Sequence, residues 1–114
     1  MKRHRKERIS KLILEELNNI IVRELEFKDV LVTLTDVEVS TDLETALVKF
    51  SVLPFEKADQ VLKILNKFAG RLQYWLLKKI NIKPMPRIKF EIDRGLENAA
   101  EIEKLTLRGY NNGD

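Results

Sequence analysis

The sequence predicts an α+β fold, one domain in which helices pack on one face of a small three-stranded sheet. Three observations carry that expectation. Apolar spacing switches from helical to alternating and back again along the chain. No linker, internal repeat or low-complexity segment divides the 114 residues, a length that suits one compact domain. Apolar residues make up 44% of the chain, enough for a core and too many for wholesale disorder.

Residues 5–26 predict an amphipathic helix. Ile9, Leu12, Ile13, Leu17, Ile20, Ile21 and Leu25 keep helical spacing, and Glu15, Glu16, Asn19 and Arg23 take the other face. Residues 1–6, with Lys2 to Lys6, precede that pattern and predict a mobile basic arm. The period then becomes two. In "VLVTLTDVEVS" the apolar phase runs on Val30, Val32 and Leu34, then on Val37 and Val39 with opposite parity. A regular strand cannot change parity, so a bulge or bend is expected near Thr35–Asp36. "TALVKFSVL" alternates through Ala46, Val48, Phe50 and Val52, and the polar "STDLE" between the two strands reads as a hairpin turn. Pro54 ends the second strand.

Helical spacing returns over residues 56–80, with Val61, Leu65, Phe68, Leu72 and Trp75 on one side and Gly70 in the interior. Glycine there costs a helix about 1 kcal/mol relative to alanine. "NIKPMPR" breaks the helix with two prolines. Ile88, Phe90 and Ile92 then alternate as a third strand, "GLENAAEIEKL" reads as a terminal helical turn or two, and residues 106–114 as a frayed tail.

The net charge is only +3, but the charges are segregated. Residues 1–11 hold Lys2, Arg3, Arg5, Lys6, Arg8 and Lys11 against Glu7. Residues 12–59 are mainly acidic. Residues 60–90 carry Lys63, Lys67, Arg71, Lys78, Lys79, Lys83, Arg87 and Lys89 with no acid. Two basic blocks flanking an acidic one suggest a polyanion met by one side of the molecule. The bland account, lysines solvating a helix face, suits one such block better than two.

Catalysis finds little material. His4, the only histidine, lies among basic residues where it is a solvated side chain. Four glycines, Gly70, Gly95, Gly109 and Gly113, form no phosphate-binding loop. Cysteine is absent, which excludes disulfides and thiolate metal sites, and no metal-ligand cluster or cofactor motif is present. No apolar run spans a bilayer, and the basic N-terminus leads into an amphipathic rather than evenly apolar stretch. A soluble cytoplasmic protein is expected, without a membrane partner, a small-molecule substrate, a metal or a cofactor.

At about 100° per residue, Lys63, Lys67, Arg71, Tyr74 and Lys78 share one arc of the second long helix, opposite its apolar stripe. Such cations can meet successive phosphates. Tyr74 either stacks on an unpaired base or covers the core edge; Trp75 reads as core. Gly70 has two readings. It kinks the helix and starts a second piece with anion-friendly N–H groups between Lys67 and Arg71, or it lets Phe68 or Trp75 pack beside a neighbouring helix.

Four stretches in this order resemble the ribosome-binding factor A family: "KERISKLILEELNNIIVREL", "VTLTDVEVSTDLETALVKFSVL", "ILNKFAGRLQYWLLKKINIKPMPRIKFEID" and "LENAAEIEKL". The resemblance spans about residues 5–105. It implies a type II KH-like domain, ordered helix–strand–strand–helix–helix–strand, lacking the GxxG loop of ordinary KH domains. In that loop's place the family has an Ala-x-Gly interruption, here Phe68, Ala69 and Gly70, with phenylalanine standing for the family's alanine.

The function implied by the resemblance is late maturation of the 30S small ribosomal subunit. Family members bind 16S rRNA near the decoding region, assist its 5′-end processing, support growth in the cold, catalyse nothing, and leave when a maturation GTPase acts. The implied RNA-facing residues are Arg3, Arg5, Lys6, Arg8 and Lys11, and Lys63, Lys67, Arg71, Lys78 and Lys79; the basic blocks add Tyr74 and Lys83. The expected partners are the small subunit and its rRNA, met by a monomer. The rivals are a generic KH-like RNA chaperone and a protein-interaction domain without RNA, using the sheet edge or the first helix.

Overall fold

The apolar spacing of Ile9, Ile13, Leu17, Ile20 and Ile21 lays a first helix, α1 (Lys2–Glu24), along the first strand. A computed structural model of the chain describes residues 2–95, and for residues 2–4 the backbone alone. Lys2 to Lys6 are the opening turns of α1, so the separate basic arm expected over residues 1–6 is corrected. Lysine and arginine are good helix formers, and no proline or glycine interrupts them. Leu12 is exposed, and Leu14 is the residue that packs against the core instead. The buried arc of the helix is centred between Ile13 and Leu17, which turns Leu12 away from the sheet.

Asp29, at φ 58°, turns the chain into β1 (Leu31–Val39). β1 pairs antiparallel with β2 (Thr45–Leu53), and the register shifts between Leu34 and Asp36. This is the bulge that the parity change requires, and Thr35 is its extra residue. Opposite pairs keep one face apolar: Val32 with Val52, Leu34 with Phe50, Val37 with Val48, Val39 with Ala46. In the turn, the Leu43 N–H donates to the Ser40 carbonyl, with Leu43 at φ 61°. The Asp42 carboxylate accepts from the Ser40 hydroxyl and the Glu44 N–H, and both bonds hold its pKa below the ordinary value.

After Pro54 a 3-10 turn (Phe55–Lys57) leads into α2 (Ala58–Lys67) and α3 (Ala69–Lys79). These helices form the crossover that returns β3 (Arg87–Ile92) parallel to β2. The sheet order is β1-β2-β3. Ile88, Phe90 and Ile92 extend the apolar rows, and Phe90 meets Phe50 edge-on at 6.4 Å between ring centroids. Over them sit Ala58, Val61 and Leu65 of α2 and Leu72 and Leu76 of α3. Trp75, expected in the core, is half-buried at its rim; Leu76 fills the interior position.

The helices cover one face of the sheet, and the order is that of a type II KH-like domain. No helix among the described residues is long and apolar enough to cross a membrane. The predicted turns over 96–105 and the tail over 106–114 lie outside the described residues.

Candidate nucleic-acid interface

The interruption between α2 and α3 lies at Phe68, not at Gly70. Phe68 has φ −97° and ψ 5°, outside helical geometry, and serves both as the end of α2 and the start of α3. Gly70 is the second residue of α3. Its φ is not positive, and a β-carbon built on it meets no heavy atom within 4 Å. The break therefore does not use a left-handed glycine backbone, and no part of this chain packs closely over Gly70. The half-buried Phe68 ring packs against the core at the break.

The bend is bracketed by cations. Lys63 and Lys67 leave α2, and Arg71, Lys78 and Lys79 leave α3, all exposed, while Lys83 is exposed in the following loop. Among the described residues none of these six is paired with a carboxylate. Two of them lie instead on aromatic rings. The Arg71 guanidinium is 5.8 Å from the Phe68 centroid, and the Lys78 Nζ is 4.8 Å from that of Tyr74. Tyr74 is 54% exposed, so its ring is open to a further stacking partner as well as to Lys78. Lys63 and Lys67 on α2 and Arg71 and Lys78 on α3, on the side away from the core, make a positive strip, and Lys79 borders it on the Leu72 side.

The first basic block is arranged differently. Arg5, Arg8 and Lys11 are exposed on α1 at three-residue spacing, whereas Lys6 is half-buried beside β1. Arg3 lies on α1, and its side chain is outside the described set. α1 packs against α3 as well as β1, which brings the two basic helices into one layer.

Arg87 and Lys89 belong to the acid-free block but not to this layer. They alternate with Ile88 and Phe90 along β3, so they project from the uncovered sheet face, where Lys89 lies in register with Leu47 and Glu38. The strand alternation in the sequence was the signal for that split. Lys49 on the same face bonds Glu38 at 3.1 Å, which raises its pKa. Among the described residues no three His, Asp or Glu side chains converge as metal ligands.

Gln73 carries a role that spacing does not reveal. Its side-chain N–H donates to the Pro86 carbonyl at 2.8 Å, and its carbonyl accepts from the Ile88 N–H at 2.9 Å. That pair holds α3, with its cations, against the outer edge of β3.

Comparison with known proteins accounts for the whole of this frame. The ribosome-binding factor A family profile matches residues 5–106. Ribosome-binding factor A of Coprothermobacter proteolyticus is 33% identical over 106 residues, covering 92% of this chain and 77% of that one. The crystal structure of ribosome-binding factor A from Thermus thermophilus superposes with a TM-score of 0.61 at 21% identity, over 83% of this chain and 99% of that one. A homology model of the Thermus thermophilus factor, as fitted into a cryo-EM map of its 30S complex, superposes with a TM-score of 0.59 at 24% identity, over 80% and 93%. The profile match over residues 5–106, together with a relative 33% identical over 92% of the chain, shows that the chain belongs to the ribosome-binding factor A family.

Proposed function

We propose that this protein binds the maturing small ribosomal subunit through its rRNA, as a non-catalytic monomeric assembly factor in the cytoplasm. The observation that carries the reading is the positive strip on α2 and α3: Lys63, Lys67, Arg71, Lys78 and Lys79, exposed and without carboxylate partners. The family resemblance adds Arg3, Arg5, Lys6, Arg8 and Lys11 to the proposed surface, the second basic block adds Lys83, and Tyr74 offers a ring for stacking. Family membership and the fit of a relative into a map of its 30S complex support the choice of partner. Assistance to 16S 5′-end processing and to growth in the cold are the finer parts of the proposal.

Each phosphate contact releases counterions, so binding falls steeply with salt and follows RNA shape more than sequence. Co-sedimentation with small subunits across a salt series tests this. The Lys67→Glu, Arg71→Glu variant should lose about tenfold or more in affinity while staying folded, since two phosphate contacts become repulsions. Equal binding by variant and wild type would remove α2 and α3 from the interface.

A further inference from the structure

β1 is an edge strand, and its outer side is open where it passes α1. The Ser40 N–H donates to the Thr45 carbonyl, so alternation along β1 turns the N–H and C=O groups of Val37 and Val39 away from β2. Beside them lies a groove of about 900 Å³. Leu14 and Leu47 supply apolar lining, Lys6 and Lys11 of α1 form one rim, and Asp36 and Glu38 of β1 the other. Glu7 lines the helix side too, leaving that rim net positive.

We propose that this groove docks an extended segment of a partner protein as a fourth strand on β1. Its alternate side chains would be acidic toward Lys6 and Lys11 and basic toward Asp36 and Glu38. An added strand satisfies the four outward groups of Val37 and Val39 and covers the apolar lining. Charge selects among occupants. A phosphate chain along β1 would meet Asp36 and Glu38. A second copy, pairing β1 with β1, would set those carboxylates against their own counterparts. A peptide carrying both signs on opposite faces meets neither penalty. The bulge at Thr35 ends the template, so the contact is short and exchangeable. Lys6 and Lys11 are shared with the rRNA reading, but the inference rests on the open backbone of β1, which that reading does not use.

The test is an amide chemical-shift titration of the full chain. The probe is an octapeptide with lysine and threonine on one face of its extended form and glutamate and valine on the other. Shifts should centre on Val37 and Val39. Val39→Pro removes an N–H that no strand of the fold uses, and should weaken binding about tenfold, one backbone hydrogen bond's worth. If that variant does not fold, the same peptide N-methylated at alternate amides replaces it and should bind as weakly. Absence of binding, shifts confined to other elements, or undiminished binding of the N-methylated peptide would overturn the proposal. Larger shifts at Val37 and Val39 with an oligouridine would assign the edge to RNA instead. Self-association in sedimentation that disappears with Val39→Pro would assign it to a second copy.

Discussion

A β-carbon on Gly70 would enter open space, and the residue already has helical backbone. Gly70→Ala should therefore raise stability by up to about 1 kcal/mol, by lowering the entropy of the unfolded chain. Urea unfolding would show it. A loss of stability would mean that the break beside it needs glycine after all. Asp93 is a second informative residue. It accepts from the Thr35 hydroxyl at 2.6 Å and the Gly95 N–H at 3.0 Å, and its own N–H donates to the Phe50 carbonyl. The Thr35 bond first, then the Gly95 bond, with Lys49 nearby, hold its carboxyl below the ordinary value of 3.8. A depressed folded pKa contributes stability above the unfolded value and loses it as pH falls through the folded one. Asp93→Asn should cost less than about 1 kcal/mol at neutral pH, the contact being near the surface. Unfolding midpoints followed downward in pH should converge with those of the wild type below 3.8. A gap that persists at the acid end would deny Asp93 its charge-based role.

Among the elements, β3 depends on α3 as well as on β2. Gln73 caps its outer edge at Pro86 and Ile88, where a fourth strand would otherwise bond. Gln73→Leu keeps the volume but leaves a donor and an acceptor without partners, at a cost of about 1–3 kcal/mol. The Ile88 amide should then exchange with solvent faster than its neighbours in β3; unchanged exchange would mean that water replaces the clamp at no loss. Much of this scale was legible in advance. The parity change across Leu34 and Val37 located the bulge, because period-two alternation has no other way to move its apolar face. The break between α2 and α3 falls at Phe68, the first residue of the expected Phe68, Ala69 and Gly70 interruption. Propensity pointed to glycine, whereas the non-helical backbone is that of Phe68, whose ring packs against the core.

For the molecule as a whole, the acid-free cations concentrate on one strip. The strip on α2 and α3 carries cations unpaired among the described residues, whereas α1 adds Glu15 and Glu16 to its bases and the uncovered sheet face mixes signs, with Asp36, Glu38, Lys49, Lys89 and Glu91 in neighbouring register. A polyanion approaching the helices meets attraction over several turns; one approaching the sheet meets both signs. The Lys67→Glu, Arg71→Glu variant belongs to this scale, because it inverts the field of the strip without touching the core. The acid-free block 60–90 suggested one basic face, yet side-chain alternation along β3 sends Arg87 and Lys89 to the opposite side.

The sequence by itself determined the kinds and order of the elements, the bulge, the buried stripes and the two basic blocks, because periodicity and charge are local properties. Only the tertiary structure decided that β3 returns parallel to β2, that Gln73 caps the start of the β3 edge at Pro86 and Ile88 while the β1 edge stays open beside α1, and that Thr35 reaches Asp93. Those contacts join residues distant in sequence, and no local spacing encodes which of them will meet.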